Sequence, residues 1–418
     1  MPVSEHPAPN VEPYRIRVPE HKLELLAQKL RLTTFPDEIE EAGWDYGVPI
    51  SDIRRLVSRW KEGFDWRKQE ETLNEELPQF TVDIEVEKYG SLNVHFVHKR
   101  SVCEDAIPLL FVHGWPGSFI EVRKILPLLV EPSPSHPGFH VVAMSLPGYG
   151  FSEAPSKRGF AMSQMAETAN KLMLALGYSE YVTQGGDMGF MVTRKIAQSY
   201  GHKHCKAWHT NSPVPSIPSF WTKPIEFLLS FVLLPWTAAE KAGIERTTWF
   251  AQEGSGYANL HMTQPQTPGY SLADSPVGLL AWITEKLVNW SDGYPWSDDE
   301  ILTWVSIYLF SRAGPAASLR LYYEMRKEGE IAIPPAVPPV TVPPSTIPLG
   351  LSYFPKEIVI LPRRLNHSIG KIVLESEHSS GGHFAAYERP VELVDDVRRM
   401  FGKDGPAFGV VSGRTGYH

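Results

Sequence analysis

The sequence predicts an α/β fold: a mostly parallel central sheet flanked by helices, with a helical block inserted late and a helical extension in front. Three observations predict it. From about residue 92 to 200, short apolar runs alternate with helical stretches, the pattern of βαβ units around a parallel sheet. From about 214 to 345 this alternation stops and helical periodicity dominates. Strand signals then return, followed by one last helix.

In the first segment, Leu23, Leu26, Ala27 and Leu30 recur at helical spacing and give one apolar face. Ser51 is the expected N-cap of a second helix, whose face is Ile53, Leu56, Val57 and Trp60. Residues 1–90 are therefore expected to be a helical extension wrapping the core.

Residues 91–213 read as the first part of that core. Leu92–His98 alternates as a strand. Ile107–Val112 is a continuous apolar run, as a buried parallel strand should be. Further strands are expected at Val141–Leu146 and Tyr181–Gln184. Helices are expected at Ile120–Val130, at Ala166–Leu176 with Gly177 closing it, and at Met188–Ser199.

Residues 214–345 read as a helical lid. Its helices are Ile225–Leu234, Pro276–Trp290 with Ser275 as N-cap, Asp298–Phe310 and Ser318–Glu328. The Pro-rich run Pro334–Pro348 reads as an extended connector. Residues 346–418 complete the core with strands at Ile347–Phe354 and Lys371–Glu375 and a helix at Pro390–Phe401. A lid so placed covers the carboxyl edge of the sheet, where ligands bind in such folds.

Composition narrows the class. Net charge is −8, and no basic run or arm is present, which argues against a nucleic-acid partner. Cys103 and Cys205 are too few for a disulfide framework or a zinc site, and fit a reducing compartment such as the cytoplasm. Met1–Tyr14 has no apolar stretch of the signal-peptide kind. The longest apolar run, Phe227–Trp236, is far short of a membrane span.

The segment Gly185-Gly186-Asp187-Met188-Gly189 lies between an expected strand and an expected helix. Flanking glycines permit a sharp turn that projects the middle side chain, the nucleophile elbow of the α/β-hydrolase fold with Asp in place of Ser. A carboxylate there needs no deprotonation at neutral pH, and the helix N terminus favours its charge. His113-Gly114-Trp115-Pro116-Gly117 follows a strand and can supply one backbone N–H to an oxyanion hole, with Met188 N–H as the second. His113 itself reads as structural. Gly381-Gly382-His383-Phe384 follows the last strand, where a general base belongs, with His378 as the fallback. Glu357, just past the preceding strand, is the candidate to orient that base.

An Asp nucleophile on this fold leaves two chemistries, displacing halide or opening an epoxide. An epoxide oxygen is a poor leaving group and needs a proton donor. Tyrosine hydroxyls on the lid could serve; Tyr257, Tyr322 and Tyr323 are candidates, and with 16 tyrosines spacing does not select among them.

These motifs, with Pro147-Gly148-Tyr149-Gly150-Phe151-Ser152 and Arg320-Leu321-Tyr322-Tyr323-Glu324, closely resemble epoxide hydrolases of the microsomal type, fungal soluble members included, over nearly the whole chain. The resemblance implies that Asp187 is the nucleophile, that Glu357 and His383 are the charge-relay acid and base, and that Tyr257 and Tyr322 are the lid donors. It further implies that the Trp115 and Met188 N–H groups form the oxyanion hole, that Trp115, Tyr257 and Tyr322 contact substrate, and that no metal or organic cofactor is needed. The acid is Glu here, whereas other members carry Asp, so its longer side chain must fold differently to reach His383. The expected substrate is a small hydrophobic epoxide, and a homodimer is expected from the family. The rivals are a haloalkane dehalogenase-like hydrolase and a non-catalytic ligand-binding protein on the same scaffold.

Overall fold

The computed structural model describes residues 10–331 and 343–417, apart from Ser219, Thr222 and Leu234. Within these, nine strands form one sheet. They are β1 (Glu12–Tyr14), β2 (Gln79–Val86), β3 (Gly90–Lys99), β4 (Ile107–Val112), β5 (Phe139–Met144), β6 (Tyr181–Gly185), β7 (Cys205–Thr210), β8 (Ser345–Tyr353) and β9 (Gly370–Glu377). Their order is β1-β2-β3-β5-β4-β6-β7-β8-β9. The pairs from β1 through β3 to β5 are antiparallel, and every pair beyond is parallel. All six residues of β4 and of β5 are buried, as their unbroken apolar runs require.

Parallel pairing puts the carboxyl ends of β4, β5, β6, β8 and β9 on one edge. The turns that follow them carry His113–Gly117, Pro147–Ser152, Asp187, Glu357 and His383, so residues up to 270 positions apart in the chain share that edge.

Several expected elements stand as read. Met188–Ser199 and Pro390–Phe401 are helices with those bounds. Helix Pro276–Asn289 is capped by Ser275, whose side chain accepts from Gly278 N at 2.9 Å. Gly177, at φ +84°, sits just past the end of helix Met162–Ala175.

Others need correction. The segment before residue 90 is not purely helical: after helices Glu20–Arg31, Ile50–Glu62 and Trp66–Glu76, β2 pairs with β3 along its whole length, and β1 adds an edge. The signal was there in Phe80, Val82, Ile84 and Val86, which alternate at period two. Ser51 is not the N-cap; Pro49 is, and Ser51 lies in the first turn, although Ile53, Leu56, Val57 and Trp60 are the buried face. The single helix expected over Ile120–Val130 is broken into a 3-10 turn, Phe119–Arg123, and a short helix, Leu126–Val130, with Pro127 at its start. Strand β7 and helices Ala238–Trp249, Gly256–Thr263 and Gln266–Asp274 had not been anticipated. Of the Pro-rich run Pro334–Pro348, residues 334–342 lie outside the described residues, and Ser345–Pro348 already belong to β8. No single helix among the described residues is long and apolar enough to cross a membrane; one strongly bent pair, Pro224–Leu233 with Ala238–Gly254, passes that test only jointly.

Candidate active site

Asp187 occupies the turn between β6 and helix Met188–Ser199 with φ +52°, a left-handed conformation that costs a non-glycine residue free energy. The neighbouring residues permit it. A Cβ on Gly189 would come within 1.9 Å of the Val112 carbonyl oxygen at the end of β4, so only glycine lets the helix start this close to the sheet. The turn aims the carboxylate at the loop after β4, where the backbone N–H of Trp115 donates to Asp187 Oδ1 at 2.9 Å. Met188 N–H, at the first position of the helix, is an amide that no helical carbonyl can satisfy.

The other carboxylate oxygen, Oδ2, lies 3.4 Å from His383 Nε2. On the far side of the ring, His383 Nδ1 is 2.5 Å from Glu357 Oε1. That same Oε1 accepts from Ile358 N at 2.6 Å, which shows how the longer Glu side chain folds back to meet the imidazole. All three side chains are largely buried. Burial opposes a charged imidazole, yet Glu357 and Asp187 together outweigh it and hold His383 well above the usual histidine range. Its backbone N–H donates to Trp290 O at 2.9 Å, tying this histidine to the end of a lid helix.

The lid closes the site with rings. Tyr257 stacks on Trp115 at 4.7 Å between centroids and 14° between planes, and Tyr322 meets Tyr257 edge-on at 6.1 Å. Trp290 packs against both His383 and Tyr257, at 5.0 and 5.4 Å. Burial first, then Asp187, pushes the Tyr257 phenol up; for Tyr322 burial is followed by Tyr257 and Asp187. The buried Tyr322 hydroxyl has no protein partner in ordinary hydrogen-bond geometry. Tyr323, by contrast, is partly exposed, with Lys327 Nζ 5.2 Å above its ring.

The structure thus gathers Asp187, His383, Glu357, Trp115, Met188, Tyr257 and Tyr322 at one place. Two other histidines are elsewhere employed. His378 Nε2 pairs with Asp396 at 2.6 Å, and its ring stacks on Phe354. His113 is a bracing residue: its Nδ1 lies 2.9 Å from Gly114 O, its Nε2 accepts from Leu146 N at 3.2 Å, and burial depresses it to about 4.

Four site residues had not been singled out in the sequence: Trp290, His261, Asn211 and Glu121. His261 stands four residues after Tyr257, one helical turn on, which is the signal that could have found it. It packs 4.9 Å from both Trp115 and Tyr322. Among the described residues there is no group of His, Cys, Asp and Glu that could hold a metal ion.

Residues 11–122 match the model described as epoxide hydrolase N terminus, and residues 107–238 match that of the alpha/beta hydrolase fold. Epoxide hydrolase 1 of Sus scrofa is 33% identical over 425 residues, covering 94% of this chain and 89% of that protein. The solved Aspergillus niger epoxide hydrolase superposes with TM-score 0.77 at 34% identity, covering 93% of this chain and 95% of that one. The juvenile hormone epoxide hydrolase of Bombyx mori gives 0.80 at 26% identity, covering 93% of each. The chain therefore belongs to the epoxide hydrolases of the α/β-hydrolase fold, enzymes that add water to an epoxide.

Proposed function

We propose that the chain converts a hydrophobic epoxide to a vicinal diol through an alkyl ester on Asp187. One observation carries this reading: the two oxygens of Asp187 face different partners. Oδ1 takes the Trp115 N–H at 2.9 Å, and Oδ2 lies 3.4 Å from His383 Nε2. A carboxylate held by one oxygen is oriented to attack with the other.

Tyr257 and Tyr322 donate to the epoxide oxygen while Asp187 Oδ2 attacks a ring carbon from behind. The C–O bond of the ring breaks, and the oxygen takes a proton from a tyrosine as the ester forms. His383, aligned by Glu357, then removes a proton from water, and the resulting hydroxide adds to the Asp187 carbonyl carbon. The Trp115 and Met188 N–H groups hold the oxyanion on Oδ1. The diol oxygen takes the proton from His383 and leaves, and the proton left on the Asp187 carboxyl returns to the tyrosinate, so that Asp187 and the tyrosine are both restored. The buried tyrosine pair favours this over halide displacement, since a departing halide needs no proton. The aromatic walls, Trp115, Trp290, Tyr257 and Tyr322, favour an apolar substrate.

A single turnover of styrene oxide with excess enzyme in ¹⁸O-water tests the reading. Label is expected in the Asp187 peptide, with the first diol unlabelled. Label appearing directly in that diol would mean that water attacks the epoxide itself, and the role of Asp187 would be lost.

A further inference from the structure

Glu121 stands in the turn Phe119–Arg123, which follows the loop carrying Trp115. Its carboxyl lies over Gly117 so closely that a Cβ there would come within 1.6 Å of Glu121 Oε1. The Asp187 carboxylate leans on the same loop: a Cβ on Gly114 would come within 2.3 Å of its Oδ1. Two carboxyl groups thus flank the four-residue stretch from Gly114 to Gly117, and both are left room by a missing side chain.

Between them is a cavity of about 10 Å³, bordered by Glu121, Asp187, His383, Asn211, Gly186 and Phe384 among others. That is the space one water needs, and a confined water requires two to four polar partners. His383 is one. Asn211 Oδ1 is engaged, since it already accepts from Gln184 at 2.8 Å. No lysine or arginine is among the groups that act on the Glu121 carboxyl; the backbone of Ser118 and Gly114 hydrogen-bonds it, and His383 and Asp187 are the charges it feels.

We propose that Glu121 holds the hydrolytic water, its carboxyl accepting one O–H while His383 Nε2 receives the other. This rests on the ester reading above. The water oxygen is then aimed at the ester carbon of Asp187. It bonds to that carbon as its proton passes to Nε2, and the carbonyl electrons move to Oδ1, facing the Trp115 N–H. Collapse breaks the bond from the carbon to the alkylated Oδ2. The diol oxygen leaves with the proton from His383, and Glu121 ends as it began. Its environment suits this passive part. Burial, opposed by His383 and reinforced by Asp187, raises the carboxyl to about 8. It is therefore protonated at neutral pH in the free enzyme and sets no second negative charge beside the nucleophile, while its carbonyl oxygen still accepts.

The test is rapid-quench kinetics on the full chain, following ester formation on the Asp187 peptide and its decay separately. Glu121→Ala is expected to form ester at nearly the wild-type rate and to release diol about 10- to 100-fold more slowly, the loss typical of a misplaced reactant. Glu121→Gln, neutral and of the same shape, should recover most of it. Gly117→Ala, which pushes the carboxyl aside without changing it, should slow the same step, and combining it with Glu121→Ala should add little. Equal slowing of both steps in Glu121→Ala, or unaltered ester decay, would overturn the role of Glu121 alone. Absence of ester in the wild type and in His383→Gln would overturn the ester reading and this inference together.

Discussion

The sheet edge and the lid contribute to the same site in opposite ways. At the sheet edge three groups are already linked in a row, Asp187 with Trp115 N–H and His383, and His383 with Glu357, although Glu357 Oε2 is left without a partner. On the lid several buried polar atoms lack a hydrogen bond, although Trp304 Nε1 and the Tyr308 hydroxyl donate to the Pro116 and Gly117 carbonyls. Both ring nitrogens of His261 have no hydrogen-bond partner among the described residues, and the Tyr322 hydroxyl has only the Tyr257 hydroxyl beside it, outside ordinary hydrogen-bond geometry. An unmade hydrogen bond in a buried place costs about 1–3 kcal/mol. A substrate oxygen can therefore accept the hydrogen bond that a lid donor does not make within the protein. The edge is organised before substrate arrives, and the lid becomes satisfied by it. The edge should accordingly govern what happens after the ester forms, and the lid what happens before.

The largest effect should come from the edge. His383→Gln leaves Asp187 and the lid donors in place but removes the base. Turnover should fall by about 10²- to 10⁴-fold, the usual share of general acid–base catalysis. The ester should still form, so mass spectrometry of the quenched enzyme should find Asp187 alkylated in nearly every molecule. If the ester formed as slowly as turnover, the two regions would not divide the reaction as argued.

The lid comes next. Tyr257→Phe and Tyr322→Phe each keep the stacked ring and remove only the donor. Each should slow ester formation by about 10²-fold, as loss of one charge-stabilising donor does, and the double variant by more. Decay of ester once formed should change little. Because burial and Asp187 push both phenols up, they should still donate near pH 10, where an ordinary phenol ionises. Stopped-flow measurement of alkylation against pH checks this; a fall near pH 10 that vanishes in the Phe variants would show the phenols ionising normally.

The same contrast explains what was legible in the sequence. The edge residues sit in turns whose chemistry is written locally: Gly185-Gly186-Asp187, His113-Gly114-Trp115 and Gly381-Gly382-His383 each end a parallel strand, and the strand pattern gives their address. The lid donors sit inside helices, where periodicity reports which face is apolar but not which tyrosine meets the nucleophile. Tyr322 and Tyr323 are adjacent, and one is buried over the site while the other lies under Lys327. Only the family resemblance separated them. Glu121 escaped because Ile120–Val130 read simply as a helix, in which nothing singles out one Glu. Strand β7, Cys-Lys-Ala-Trp-His-Thr, escaped because its polar residues are buried against neighbours that no local pattern reveals: His209 is fully buried beside Ser352 of β8.

The smallest effect sharpens the comparison from within the edge. Glu357→Asp keeps the charge and shortens the side chain by one methylene, so the backbone fold of the loop must supply the lost reach. Turnover should drop about tenfold, with ester decay as the slowed step. The sign of the accompanying pH effects follows from His383. Its proton affinity is raised in the folded enzyme because Glu357 and Asp187 outweigh burial. The pairing therefore stabilises the fold fully below the unfolded histidine value, about 6.5, and that stabilisation fades as pH rises through the folded value. Weakening the pair should lower the Tm most near about pH 6, with the gap from wild type narrowing at alkaline pH. The same change lowers the proton affinity of the base, so the rising limb of ester hydrolysis should move to lower pH. A Tm gap that widens with pH instead would mean that His383 is neutral in the folded enzyme, and the edge would then not be charged in advance of substrate.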